Sequence, residues 1–201
     1  MKAAPMLLCI PDISGFTEFM SETDFDLSSK IIPSLLNKII YSNEIGLKVS
    51  EIEGDAVLFF KTGKLPELEA LINQCRTFYI EFYKQLADLR EKYKKNEQAA
   101  VIPDILGLKI ILHYGKEVAL TKVGTSIKLF GEDLIVAHRL LKNKIRMDEY
   151  LLLTEGLTDY YKEKDLDAKF DWASLKENAT EYDHVGKIKY YYINLKPLIS
   201  S

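Results

Sequence analysis

The chain alternates between short runs of apolar residues and longer stretches in which apolar residues recur at helical spacing. Residues 57–60 are an unbroken row of β-branched, aliphatic and aromatic side chains, and residues 47–52 alternate apolar with polar positions. Such patterns are typical of two strands, the second of them buried. Gly54, which lies between them, permits a tight turn. The sequence therefore predicts a β-hairpin that carries Asp55 at the start of its returning strand.

Apolar residues at steps of three and four predict the helices. Residues 31–40 follow this spacing, so a helix is predicted to begin near Asp26 or Ser28, with Pro33 either in its first turn or at a kink. Residues 65 to about 97 predict one long amphipathic helix. The other predicted helices are residues 131–141 and 154–161, and the other predicted strands are residues 6–10, 108–114, 117–123, 126–130, 150–153, 182–185 and 188–195.

The order of these elements indicates the fold class. Strand, helix, hairpin, helix, strand is the order of a βαββαβ unit, and further strands and helices extend it on the C-terminal side. The hairpins favour a largely antiparallel sheet, so the sequence predicts an α+β fold. Because the chain has 201 residues and contains neither a linker nor a repeat, residues 1–201 are predicted to form a single domain.

Composition and charge narrow the classes of function. The formal net charge of -3 and the pI near 5.7 give no global basic field that would support a nucleic-acid partner. No apolar run reaches the roughly 20 residues that a membrane span requires. Cys9 and Cys75 lie in apolar surroundings and are predicted to be buried free thiols, which suits a reducing compartment. We therefore expect a cytoplasmic protein that binds neither nucleic acid nor membrane.

Candidate chemistry lies at the ends of two predicted strands. Asp12 follows the strand of residues 6–10, Asp55 opens the second strand of the hairpin, and Gly15, Phe16 and Thr17 form a turn that leads into a helix. Two strand-end carboxylates can share a divalent cation, and the backbone N–H groups of such a turn can hold a phosphate beside it. The alternative is that both aspartates are turn or cap residues with no metal.

Four segments, taken together, carry a resemblance to a known family. They are Asp-Ile-Ser-Gly-Phe-Thr at 12–17, the hairpin at 51–56, Ile-Leu-His-Tyr-Gly at 111–115, and Leu-Phe-Gly at 129–131 followed by Ala-His-Arg-Leu at 137–140. Their order and spacing resemble the catalytic domain of class III nucleotidyl cyclases, over about residues 6–195. Residues 51–60 and 138–143 also resemble a group of uncharacterised bacterial cyclase-like proteins. The resemblance implies a ferredoxin-like βαββαβ core with a C-terminal β/α extension.

The resemblance also implies a metal site and a reaction. Asp12 and Asp55 match the metal-binding aspartates of the family, and the main-chain carbonyl of Ile13 would complete the metal shell. Two Mg2+ or Mn2+ ions per site would assist the conversion of a nucleoside triphosphate to a 3',5'-cyclic nucleotide and pyrophosphate.

Further residues take roles from the same resemblance. The backbone of Gly15, Phe16 and Thr17 would bind phosphates. Arg139 matches the arginine that stabilises the transition state, and in the family this arginine comes from the partner subunit. The resemblance therefore implies a homodimer.

Three departures from the family pattern bear on turnover. Ile135 stands where an asparagine normally orients the ribose, and the phosphate-contacting lysine near the C-terminus has no clear counterpart, since Lys187 is out of register. Glu51 and Lys128 occupy the base-reading positions with opposite charges, so they can either pair with each other or read a base. The alternative to an active cyclase is a degenerate cyclase fold that serves as a nucleotide or metal sensor, or as a dimeric interaction module.

Overall fold

The structure, a computed structural model, describes residues 3–96, 105–162 and 166–199. The strands are β1 (Ala4–Ser14), β2 (Lys48–Glu53), β3 (Ala56–Thr62), β4 (Gly107–Val123), β5 (Ser126–Phe130), β6 (Tyr150–Thr154), β7 (Lys176–Tyr182) and β8 (Gly186–Asn194). The α-helices are α1 (Phe16–Glu22), α2 (Phe25–Tyr41), α3 (Leu68–Lys92), α4 (Glu132–Leu140) and α5 (Glu155–Tyr161), and short 3₁₀ helices lie at Asp167–Lys169 and Lys196–Ile199.

The described strands form an eight-stranded sheet in the order β2-β3-β1-β4-β6-β8-β7, and β5 pairs with the far part of β4. All neighbours run antiparallel except β4 and β6. The first four strands, with α2 and α3 between them, have the order and arrangement of a ferredoxin-like βαββαβ unit. The prediction of an α+β fold with this core and a C-terminal β/α extension is confirmed.

The two faces of the sheet are covered by different helices. On β1, Leu7 and Cys9 pack in the cluster that α2 and α3 cover, whereas Leu8 and Ile10 pack in the cluster beneath α4. All four side chains are buried. Both faces of β1 are covered and a strand pairs with it on each side, so the backbone at its C-terminal end is firmly held.

Two predicted boundaries are corrected by the structure. The helix predicted from residue 65 begins at Leu68, because Pro66 disfavours helical backbone at the residue before it, and it ends at Lys92. Residue 97, the predicted end, lies outside the described residues. The strands predicted at 108–114 and 117–123 are one strand, β4, which passes through Gly115. A Cβ at Gly115 would lie 2.3 Å from Cβ of Asp133, so this glycine marks a close approach rather than a strand end.

The C-terminal hairpin is displaced relative to its prediction. Its first strand is β7 (Lys176–Tyr182), and residues 183–185, which were predicted as strand, lie in the turn, where His184 adopts a φ of 65°. β7 lies at the edge of the sheet and is rich in polar side chains, so the apolar alternation that identifies a half-buried strand is absent there.

Other local predictions are confirmed. The helix predicted near Asp26 is α2, which begins one residue earlier because the Asp24 side chain accepts a hydrogen bond from the Leu27 N–H at 2.8 Å. Pro33 lies inside this helix and not in its first turn, so that alternative is wrong. Cys9 and Cys75 are buried free thiols.

Among the described residues, the helices are all too short or too polar to cross a membrane.

Candidate functional site

A pocket of about 890 Å³ opens at the C-terminal end of β1. The walls come from the end of β1, the first turn of α1, the turn between β2 and β3, one residue of β4 and the outer side of α4. Of the residues predicted to carry function, the structure brings seven to this pocket, namely Asp12, Ile13, Gly15, Phe16, Thr17, Asp55 and Arg139. Glu51 and Lys128 do not line it.

The two aspartates are held side by side by strand pairing. Asp12 on β1 lies opposite Ala56 on β3, so Asp55 immediately precedes the paired position. The backbone N–H of Ile13 donates to the carbonyl oxygen of Asp55 at 3.0 Å, which extends the contact beyond the ladder. Both side chains line the pocket. The predicted proximity of Asp12 and Asp55 is therefore a consequence of the register between β1 and β3.

Burial of Asp12 and Asp55 disfavours the ionised form of both carboxylates. Burial raises the pKa of Asp12 to about 6, and the charge of Asp55 acts in the same direction, while Lys109 opposes both. Burial also raises the pKa of Asp55, although its own backbone N–H and Lys109 oppose the increase. A bound cation would relieve the electrostatic cost of keeping both carboxylates ionised.

Lys109 is a pocket residue that the sequence prediction missed. It lies on β4 directly opposite Asp12, and its Nζ is 3.2 Å from Oδ1 of Asp12. The local signal was a single lysine between Leu108 and Ile110 in an otherwise apolar strand. Its proximity to Asp12 depends on the register between β1 and β4, which the sequence pattern does not specify.

The turn after β1 has a backbone that only glycine accommodates. Gly15 has a φ of 77°, and a Cβ there would lie 2.0 Å from the carbonyl oxygen of Ile105. The chain enters α1 at the next residue, and the N–H groups at the start of a helix have no partners within it. Phe16 and Thr17, at this start, line the pocket beside Asp12.

Helix α4 reaches the pocket because its first turn is fixed to β4. Asp133 accepts the backbone N–H of Glu117 at 2.8 Å, and its Oδ1 lies 3.1 Å from Nε2 of His113. The other ring nitrogen of His113 lies 3.0 Å from the hydroxyl of Thr154. His113 is buried between these partners.

The pocket-facing side of α4 carries a mixed set of side chains. Arg139 is exposed and forms no ion pair with any described residue. Ile135, at the position of the missing asparagine, also lines the pocket and is 53% exposed, and it offers no hydrogen bond. Nδ1 of His138 lies 3.5 Å from Oε2 of Glu53, and both residues line the pocket. The resemblance implies that this arginine comes from a partner subunit, whereas the structure places Arg139 on the pocket of its own chain.

Glu51 and Lys128 form an ion pair away from the pocket, between β2 and β5. Of the two alternatives predicted for these residues, the structure therefore shows the pair. A role in reading a base stays a prediction, since it requires the pair to open.

The donor set fits a hard divalent cation. In residues 3–96, 105–162 and 166–199 no three His, Cys, Asp or Glu side chains form a metal-binding group, so Asp12 and Asp55 would be the side-chain ligands at the pocket. Mg2+ is commonly held by one or two carboxylates while water and phosphate oxygens supply the remaining ligands. A site of this kind would therefore bind its metal together with a phosphate ligand.

Matches to other sequences cover more than half of this chain. The family described as "Protein of unknown function (DUF2652)" matches residues 32–150. The uncharacterized protein Rv2561/Rv2562 of Mycobacterium tuberculosis is 27% identical over 154 residues, which are 75% of this chain and 67% of that protein.

Solved structures share the fold along nearly the whole chain. The guanylyl cyclase Cya2 has a TM-score of 0.66 at 11% identity, with 96% of this chain and 93% of that chain covered. The guanylate cyclase domain of RhGC from Catenaria anguillulae, in complex with GTP, has a TM-score of 0.64 at 16% identity, with 96% and 98% covered. At these identities the likeness concerns the fold alone, which is that of nucleotidyl cyclase catalytic domains.

Proposed function

The chain belongs to the DUF2652 family of proteins of unknown function, and we propose that it is a nucleotidyl cyclase-like protein that converts a nucleoside triphosphate to a 3',5'-cyclic nucleotide and pyrophosphate. The observation that carries the proposal is a single pocket lined by two carboxylates, the first turn of α1 and an arginine. These are the groups needed to bind a divalent cation, to hold phosphates and to stabilise negative charge.

The proposed reaction is an intramolecular displacement at phosphorus. The ribose 3'-oxygen forms a bond to the α-phosphorus, the bond from that phosphorus to the oxygen bridging to the β-phosphate breaks, and the hydroxyl proton passes to solvent. Two Mg2+ or Mn2+ ions, when bound, would lower the pKa of the 3'-hydroxyl and neutralise the triphosphate. Asp12, Asp55 and the main-chain carbonyl of Ile13 would hold them.

The remaining pocket residues would position the triphosphate. The backbone N–H groups of Gly15, Phe16 and Thr17 would bind phosphate oxygens at the start of α1. Lys109 and Arg139 supply positive charge on two other walls of the same pocket. Cations that face the developing charge of a transition state are among the strongest contributors to catalysis.

A homodimer is supported by the segment we call the arm, residues 119–130, which comprises the end of β4 and all of β5. Val123, Ile127 and Phe130 on the arm are 60%, 66% and 70% exposed. Ile127 and Phe130 are three positions apart on one strand and therefore lie on opposite faces of the arm. A two-stranded ribbon with apolar side chains on both faces is poorly stable in water, and we propose that a second copy of the chain covers it.

A second candidate function is binding without turnover, as a nucleotide or metal sensor or as a dimeric interaction module. Two observations favour it. Ile135 lines the pocket where a ribose-orienting amide is expected, and Glu51 is paired with Lys128. Loss of positioning groups lowers reaction rates by orders of magnitude while binding persists.

The decisive experiment incubates the purified protein with Mn2+ or Mg2+ and each of ATP, GTP, CTP and UTP, and detects cyclic products by mass spectrometry. Asp55→Asn is the blank. Glu53→Gln is the matched control, because Glu53 is a carboxylate on the same pocket whose Oε2 lies 3.5 Å from Nδ1 of His138. A cyclic product from the wild type and from Glu53→Gln, but not from Asp55→Asn, is the expected result.

The other outcomes separate the two candidates. If no triphosphate yields a product with either metal, the protein is not a cyclase. Thermal stabilisation by nucleotide plus Mn2+ that Asp55→Asn abolishes would then identify a sensor. No stabilisation by any combination would leave only the interaction module.

A further inference from the structure

Lys109 and Asp12 form a charge pair that is largely shielded from solvent, and Asp55, which is half-buried, lies beside it. The side chain of Lys109 is 20% exposed and that of Asp12 is 10% exposed, with 3.2 Å between Nζ and Oδ1. Lys109 also acts on the charge of Asp55, which it stabilises. One ammonium therefore serves two carboxylates, on the side of the pocket where a divalent cation would bind.

The net charge of Lys109, Asp12 and Asp55 affects how a cation and an anion bind beside them. With one positive and two negative groups, the cluster carries a single net negative charge. Addition of one divalent cation changes this to a single net positive charge, and the cation and the ammonium then repel each other at short range. An anion that binds beside Lys109 removes this excess, and the lysine side chain is long and flexible enough to turn from Asp12 toward it.

We infer that Lys109 is an exchangeable internal cation: it neutralises Asp12 in the free protein and moves to a phosphate group when a divalent cation takes its place. The inference rests on the proposed metal site. Metal and phosphate then bind cooperatively. The phosphate neutralises the excess positive charge that the metal creates, and the metal releases Lys109 from Asp12 so that it can bind the phosphate. Either one alone binds weakly.

The test measures Mn2+ binding by the electron paramagnetic resonance signal of the free ion, in chloride buffer and without nucleotide. Lys109→Gln removes the charge and keeps an N–H donor for Asp12. Lys142→Gln is the matched control, since Lys142 lines the same pocket, is exposed and forms no ion pair with any described residue. We expect Lys109→Gln to bind Mn2+ roughly tenfold more tightly than the wild type, within the usual range of coupling between sites, and Lys142→Gln to match the wild type.

A second measurement examines the anion directly. Sulfate replaces chloride at equal ionic strength as a stand-in for phosphate. In the wild type, sulfate should tighten Mn2+ binding, even though weak Mn2+ complexation by sulfate in solution acts in the opposite direction. In Lys109→Gln this gain should be absent, and in Lys109→Arg, which keeps the charge, it should return.

Each outcome decides a separate question. Equal or weaker Mn2+ binding by Lys109→Gln overturns the inference while the metal site stands. Binding by Lys109→Gln but not by the wild type supports it. If Mn2+ binds to none of the four proteins, the metal site and the inference both fail, and because no reaction is measured, absence of turnover does not affect the result.

Discussion

Glu51 on β2 and Lys128 on β5 are bonded to each other, although both stand at positions where the cyclase resemblance implies that a base is read. The Lys128 side chain is 43% exposed and that of Glu51 is 19% exposed, so the pair resembles surface ion pairs, which contribute about 1 kcal/mol or less. The pair holds the arm against β2, and it occupies the hydrogen-bonding groups that a base would need.

The first prediction concerns base preference. Because Glu51 and Lys128 satisfy each other, ATP, GTP, CTP and UTP should bind in the presence of Mn2+ with affinities within about threefold, a difference below 1 kcal/mol. Competition against a fluorescent triphosphate would measure this. A preference for one base that Glu51→Gln abolishes would show instead that the pair opens and reads it.

The second prediction concerns pH and metal. The pKa of Asp12 is raised to about 6, and a carboxylate must be ionised to bind a metal. The affinity for Mn2+ should therefore fall about tenfold for each pH unit below 6 and change little above it. Calorimetric titrations between pH 5 and pH 8 would measure the dependence. His138→Gln, which removes the imidazole at the pocket, should show the same dependence, and a flat profile in the wild type would contradict the placement of Asp12.

The third prediction concerns stability without metal. A pKa raised by burial means that folding favours the protonated form of Asp12, so this stabilisation is complete below about pH 4 and is lost as the pH rises through 6. A change from 3.8 to about 6 corresponds to about 3 kcal/mol. Denaturant unfolding with a chelator present should show this loss between pH 4 and pH 7 in the wild type. The Asp12→Asn variant should not show this loss of stability. Identical pH profiles for the wild type and the variant would contradict the raised pKa of Asp12.

The fourth prediction concerns the arm. Phe130→Lys places a charge on the exposed apolar face of β5 and should shift the protein from dimer to monomer in sedimentation experiments, because the charge would be buried in the interface. Phe25→Lys is the matched control, since Phe25 on α2 is 80% exposed and distant in sequence from the arm. Equal dimerisation by both variants would show that the arm is not the interface.

The fifth prediction concerns Glu149, a buried carboxylate just before β6 that accepts hydrogen bonds from the hydroxyls of Tyr79 and Tyr83 on α3. Tyr83→Phe should lower the free energy of unfolding by about 1.5–3 kcal/mol, the usual value for a hydrogen bond to a charged group. Urea unfolding would measure it. Tyr41→Phe, at a residue that is 83% exposed on α2, should have no effect, and equal effects would show that the bond to Glu149 adds no stability.

The sequence predicted the features of the site that depend on neighbouring residues. The hairpin around Gly54 and the turn at Gly15 have local signatures, and their order along the chain supported the βαββαβ core. The pairing of Asp12 with Asp55 was predicted from their strand-end positions and from the cyclase resemblance, and the structure brings them together because β1 and β3 are neighbours.

Features that depend on the pairing of residues far apart in the sequence could not be predicted from local patterns. Lys109 is a pocket residue only because β4 pairs with β1 in one particular register. Gly115 reads as a strand end in the sequence, whereas packing of α4 against β4 makes it a point of close approach within a strand. The C-terminal hairpin was displaced because an edge strand with polar side chains carries no periodic signal.

One wall of the pocket is formed by β1, which is buried in the sheet, and another by α4, whose pocket side is exposed to solvent. Both faces of β1 are covered and a strand pairs with it on each side, so we expect its amide hydrogens to be among the slowest in the protein to exchange with solvent. We therefore expect Asp12 and Ile13 to move little when a ligand binds. The wall made by α4 presents exposed Ile135 and Arg139, and adaptation to ligands of different size has to come from this side.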